Sequence, residues 1–287
     1  MVKTKVKRLV DKVLADAQRL NSEDGWDDTV EELAKMSRSP KWKTVQHAPV
    51  VWRLGEYLTR RATLLLFQGS PEGWPVFVEG LEHLYWRLRI SQSASVSAAV
   101  STYVNLLLTG QAARADWLLR KMVADAQAPG GPGFRWVWSP FSQLVAKLGA
   151  QLGHCDELKL DEETASEFVS PFTDVLEAWP DAAATAEALS RVCTHHVRFA
   201  RSADEHDFQR PLYTQICPLE VHLVNHYRRH AGLEEVVVEH ELLDTPFGKP
   251  PPVGIEVPEL CKPVADLLRR AHDEGLIDLD KEEVNLR

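Results

Sequence analysis

Cysteine is scarce in this chain and is never closely paired. Cys155, Cys193, Cys217 and Cys261 lie far apart with no CxxC spacing, which argues against a zinc knuckle or disulfide scaffold and for reduced, buried thiols. No window holds the ~18 uncharged apolar residues that a membrane-spanning helix needs. After Lys3, Lys5 and Lys7 comes DKVLADAQRL, which is amphipathic where a secretory leader would be continuously apolar. A cytoplasmic protein that spans no membrane is therefore expected. Also missing are a GxSxG elbow, a Walker A loop, a GxGxxG turn and an HExxH pair, so the familiar nucleophile, phosphate, dinucleotide and zinc-protease signatures are excluded. APGGPGF, at 128–134, has glycines enough for a phosphate cradle but neither a preceding strand nor the lysine.

What is present is an ordinary globular composition with an acidic balance. Hydrophobic residues make up 44% and charged residues 26% of 287 positions, far from the disordered regime. A chain of this length buries about three quarters of its unfolded surface and needs no metal or disulfide to make a core. The nine tryptophans are large rigid pieces suited to helix packing, and most are expected in the core. A net charge of −9 disfavours direct nucleic-acid binding, whose affinity comes from neutralising phosphates with Lys and Arg. The same charge suits a basic protein partner.

Hydrophobic spacing reads as helix almost throughout. Helices are expected over about 2–20, 28–36, 48–67, 72–90, 93–109, 111–127, 139–152, 162–178, 182–200, 219–231 and 259–274, with Asp27 or Asp28 capping the second. SQSASVSAAVSTYVNLLL is nearly uncharged and rich in small residues, as a central helix would be. Thr109-Gly110 turns it into the next helix as a tight antiparallel pair. The fold class is thus all-α, a multi-helix bundle of antiparallel hairpins with at most a short strand at 236–238, where VVV stands alone. APGGPG at 128–133 is the strongest break. The organisation is one helical domain over 1–287, or two packed lobes over 1–128 and 134–287.

Several constellations could carry chemistry, and each has a plainer reading. Glu220, His222, His226 and His230 fall on one helix with the histidines at i+4 steps. Such spacing puts imidazoles on one face, where a metal-dependent enzyme could use His222 and His226 with a carboxylate from elsewhere. Without a third ligand in the motif, a hydrogen-bonded polar face is the simpler account, so no metal, no cofactor and no catalytic set are assigned. His195, His196 and Arg198, followed by Asp204, Glu205, His206 and Asp207, could form an acid-base cluster. They also read as a helix C-terminus, where cations offset the dipole, and a solvated acidic loop. WDDTVEE at 26–32 resembles the aspartate-rich magnesium motif of terpene synthases, but it lacks a matching downstream motif and reads better as a helix start. Acidic clusters at 23–32, 156–167, 234–244 and 273–283 are solvated faces or a surface matched to a basic partner. Asp27, Asp28, Glu31, Glu162, Glu163, Glu234 and Glu235 are the candidate contacts. A helical scaffold or regulator with an apolar groove beneath GGPGFRWVW is a further alternative.

Between Leu189 and Lys249 the chain reads LSRVCTHHVRFARS, then ICPLEVHLVNHYRRHAGL, then VEHELLDTPFGKP. This order, a His-centred helix, a Pro-Leu-Glu helix start, an Arg-rich helix ending in Gly and an acidic-His segment before a Pro turn, resembles the immunity protein 49 family of bacterial polymorphic toxin systems. The resemblance covers about a fifth of the chain. It implies a non-catalytic protein that binds and neutralises one cognate toxin domain, a basic protein and possible nuclease, by occlusion. It carries over only His196, Glu220, Arg228 and Gly232, as residues that support the fold.

Overall fold

The structure, a computed structural model, describes residues 2–23, 25–39, 43–91, 96–127, 140–151, 171–200 and 211–281. Those residues form eleven α-helices and no strand. The helices are α1 (Val2–Glu23), α2 (Trp26–Arg38), α3 (Ala48–Phe67), α4 (Gly73–Ile90), α5 (Val96–Leu108), α6 (Ala112–Gln127), α7 (Pro140–Gln151), α8 (Pro171–Glu177), α9 (Ala182–Phe199), α10 (Leu219–His230) and α11 (Lys262–Asp273). The fold is all-α, as the periodicity indicates. No described helix is long and apolar enough to cross a membrane. The chain divides into two compact units, both discontinuous in sequence. One comprises Met1–Val13 with Ser95–Val253, the other Leu14–Ala94 with Gly254–Arg287. The Gly-Pro break at 128–133, together with Trp136, Trp138 and the groove expected beneath them, lies outside the described residues.

In the unit containing Leu14–Ala94, α3 and α4 make the most intimate helix pair. Gly55 and Gly80 permit it: a Cβ on Gly80 would meet Thr59 Cγ2 at 2.7 Å, Thr59 N at 3.0 Å and Gly55 O at 3.2 Å. α2 packs on α3, and α11 packs on α2 through Val264, Ala265, Leu267, Leu268 and Ala271, all buried on one stripe. The start of α2 differs from expectation. Neither Asp27 nor Asp28 caps it; the N-cap is Gly25 with no side-chain hydrogen bond, because α1 runs on to Glu23 and leaves a shorter connection. Both aspartates instead sit in the first turn, where negative charge favours the helix dipole.

The same unit buries His83 completely. Its Nδ1 donates to Glu79 O at 2.8 Å, while Nε2 is buried with no hydrogen-bond partner among the described residues. A second proton would have no acceptor, and burial lowers the pKa to about 4, against the smaller opposing pull of the Glu79 carbonyl.

In the unit containing Ser95–Val253, α5 is the central helix. Every residue from Ala98 to Leu106 is buried, and α6, α7 and α10 all pack on it. The turn into α6 closes with Gln111 N donating to Leu106 O at 2.8 Å around Gly110 at φ +83°, a left-handed C-terminal cap that glycine adopts freely. α10 is the hub, touching α5, α7 and α9. The short strand expected at 236–238 does not form. Its valines alternate between buried and exposed as those of an extended segment do, but the backbone of Val236 is paired with the side chain of Asn225 and not with another strand. Tryptophan also departs from expectation: of the six described, only Trp86 is fully buried, and Trp26, Trp52, Trp74, Trp117 and Trp179 are half-buried. Two of them lie under guanidinium groups, Trp52 under Arg87 and Trp179 under Arg228, so they face cations at the edge of the core.

Gly80→Ala should destabilise the protein by about 1–3 kcal/mol, since the new methyl presses on backbone that cannot yield cheaply. Gly149→Ala, whose Cβ would meet only Leu119 Cδ2, at 3.7 Å, among the described residues, should stabilise it by about 0.5–1 kcal/mol; urea unfolding midpoints check both. His83 makes a second, pH-resolved prediction. Its pKa is lower folded than unfolded, so its stabilising contribution is complete above about pH 6.5 and is lost as pH falls towards 4. The loss should reach about 3 kcal/mol, seen as the difference in pH dependence of unfolding between the native protein and His83→Phe.

Candidate functional site

Pro218 precedes α10 and Gly232 ends it. Past Gly232, at φ +70°, Leu233 N donates to Arg228 O at 2.8 Å and Gly232 N to Arg229 O at 3.1 Å, so the chain reverses and runs back along the helix. Three side chains of α10 hold the returning segment. Arg228 Nε donates to Glu234 O at 2.7 Å. Asn225 Nδ2 donates to Val236 O at 2.9 Å while its Oδ1 accepts from Val236 N at 2.8 Å. Arg229 Nε meets Glu235 Oε1 at 2.7 Å.

Between this segment, α10, the end of α5 and the proline-rich crossing that reaches Val253 lies a recess of about 520 Å³. Asn225, His226, Arg229 and His230 line it from α10, Leu107 and Leu108 from α5, and Pro250, Pro251 and Val253 from the crossing. Val237 and Val253, 86% and 75% exposed, stand on its margin.

The histidines of α10 do different things. His222 is buried, and its Nε2 donates to Phe247 O at 2.8 Å; burial lowers its pKa, so it is neutral. His226 and His230 pack with their rings tilted, 4.5 Å between centroids and 49° between planes, and both line the recess. Among the described residues no group of three His, Cys, Asp or Glu side chains is placed to hold a metal ion, so the geometry joins no carboxylate to His222 and His226.

The four residues singled out by the family resemblance fall in this unit. His196 and Glu220, each 1% exposed, share a hydrogen bond of 2.8 Å from His196 Nδ1 to Glu220 Oε1, and His196 Nε2 lies 3.1 Å from Gln215 O. Both ring nitrogens are thereby committed. Cys193 and Cys217 are buried nearby in sequence, their thiols pushed well up by burial and then by the Glu220 charge, so they stay protonated. Arg228 is 1% exposed. Besides Glu234 O it donates through Nη1 to Trp179 O and, at 3.4 Å, to Thr185 Oγ1. The remaining members of the acid-base cluster considered with His195, residues 204–207, lie outside the described residues; the His195 ring packs on Phe199 at 4.1 Å and Phe172 at 6.0 Å.

Of the candidate contact residues, Asp27, Asp28, Glu31, Glu234 and Glu235 are all exposed, while Glu162 and Glu163 lie outside the described residues. Glu31 is paired with Lys35 at 2.7 Å and Glu235 with Arg229. The sequence did not single out Asn225, Val237 or Val253. The alternation E-V-V-V-E was the available hint for Val237, but Asn225 inside a helix gives no sign that it will hold a backbone eleven residues later. No protein-family model, curated protein or solved structure matches the chain.

Arg228→Lys replaces a forked donor reaching three acceptors by a single ammonium. The expected cost is about 1–3 kcal/mol. Amide hydrogen exchange over 234–238 should accelerate more than exchange in α11, and equal acceleration in both would count against a local clamp.

Proposed function

We propose that this chain is a non-catalytic binding protein of the immunity type, which covers and neutralises a cognate, basic toxin domain in the cytoplasm. The observation that carries the reading is how the polar and apolar groups of one unit are distributed. His196 and Glu220, the pair best suited to move a proton, are sealed at 1% exposure with their hydrogen bonds spent on each other and on Gln215 O. Among the described residues the most exposed large apolar side chains, Val237 and Val253, stand instead around an open recess lined also by Glu235, which is exposed, as is its chain neighbour Glu234. Exposed apolar residues beside a recess suit a protein contact, and surrounding carboxylates would speed the encounter with a basic partner and help reject others. The net charge of −9 agrees with such a partner. An occluding interface of this kind would bury about 1,600 Å² in total.

Coexpression tests the reading. A toxin domain encoded beside this chain should arrest growth alone and be tolerated when the chain is present, with the two proteins co-purifying as a stable complex. Failure of rescue with every neighbouring toxin-like product would overturn it.

A further inference from the structure

Residues 234–239 alternate in two ways at once. From Glu235 to Glu239 the side chains alternate in burial: Val236 and Val238 are buried at 5% and 8%, while Glu235, Val237 and Glu239 are exposed, as is Glu234 before them. Their main-chain contacts alternate as well. Glu234 O goes to Arg228 and both main-chain groups of Val236 go to Asn225, so the Glu234 carbonyl and the N–H and C=O of Val236 face α10. In an extended chain the main-chain groups of successive residues leave from opposite edges. Those of Glu235 and Val237 therefore leave on the edge away from α10, and among the described residues neither has a main-chain hydrogen bond. The open edge ends at Glu239, whose carbonyl accepts from Ser190 Oγ at 3.4 Å. A row of unpaired donors and acceptors on extended backbone is a template for another strand.

Its surroundings say what kind of strand. Val237 is 86% exposed, and Glu234, Glu235 and Glu239 flank it with exposed carboxylates. Arg229 is the cation of the recess wall, and it is already engaged with Glu235 in an exposed pair of the sort that contributes little and exchanges readily.

We propose that this edge is a strand-addition site: an extended segment of a protein partner, with lysine or arginine alternating with apolar residues, pairs its main chain with Glu235 and Val237. Its cations lie against Glu234, Glu235 and Glu239, and its apolar side chains cover Val237. The inference rests on the binding reading above for the partner being a protein, and adds where it docks and in what conformation.

The probe is a synthetic peptide of about ten residues alternating lysine and valine, long enough to form a full strand. Two control peptides accompany it: one carries N-methyl groups on alternate peptide bonds, and the other has glutamate in place of lysine. The lysine peptide should bind, slow amide exchange at Glu235 and Val237, and lose about tenfold in affinity on N-methylation; the glutamate peptide should not bind. The double variant Glu234→Lys/Glu239→Lys, and separately Val237→Pro, should each weaken binding by about tenfold or more while leaving helical circular dichroism unchanged. No binding, binding indifferent to N-methylation, or protection elsewhere would overturn the proposal. Coexpression separates it from the reading it rests on. If the variant chains still neutralise a toxin as well as the native chain, the edge is wrong and neutralisation stands. If the native chain neutralises nothing yet the peptide docks at Glu235 and Val237, the edge stands and the immunity role fails.

Discussion

A guanidinium taken out of water must find acceptors for its donors or exact a cost of several kcal/mol, and Arg228 is such a group, 1% exposed near the end of α10. It meets the demand with carbonyls from two directions: Trp179 O, just before α9, and Glu234 O, just after the chain reverses. The indole of Trp179 lies 5.7 Å from the guanidinium carbon, adding a cation–π contact in a poorly solvated place. The main-chain carbonyl of Arg228 itself accepts from Leu233 N and fixes the reversal. One side chain thus sets where α9 begins relative to α10 and where the returning segment starts. With the path after Gly232 fixed, Asn225 can hold Val236 and Glu235 comes within reach of Arg229.

α10 therefore serves two environments. One side carries Glu220 and Tyr227, which reach His196 and the hydroxyl of Tyr103 at 2.8 and 2.6 Å inside the unit. In that interior Tyr213 also receives Asn105 Nδ2 at 2.9 Å, and burial, with a smaller push from Cys217, keeps its hydroxyl protonated. The other side carries Asn225, His226, Arg229 and His230, which line the recess. A helix whose inner polar groups are all matched resists rotation about its own axis, because any turn would strand buried donors and acceptors. The geometry of the open side is in this sense a consequence of the closed one.

How far the sequence could be read depended on the range of the interaction responsible. Local signals served well. The start of α9 at Ala182 follows from Asp181, whose carboxylate accepts from Ala184 N at 3.0 Å, and the end of α10 follows from Gly232. The burial of α5 from Ala98 to Leu106 was legible in its run of small and apolar residues. Local propensity misled where the deciding partner was elsewhere. VVV has strong strand preference, yet a strand needs a neighbour, and Val236 found a helix side chain. Asp27 and Asp28 look like caps, yet α1 continued through Asn21 and Ser22 and left Gly25 to take that place. The pairings that shape the site, His196 with Glu220 across 24 residues and Arg228 with Trp179 across 49, leave no mark that a single sequence displays.

Charge looks different when resolved residue by residue. A net −9 suggests a general attraction for cations, but a carboxylate already matched by a neighbour contributes less to that field than an unmatched one. Glu31 is matched by Lys35 and Glu235 by Arg229. Asp27, Asp28 and Glu234 have no side-chain ion pair among the described residues, so among the described candidate contacts these three contribute most to the long-range pull. The matched pairs are not inert. Both are exposed, where an ion pair is worth about 0–1 kcal/mol, so a partner's lysine or arginine could displace Lys35 or Arg229 at little net cost. Unmatched carboxylates would then govern how fast a basic partner arrives, and exchangeable pairs how closely it can settle once there.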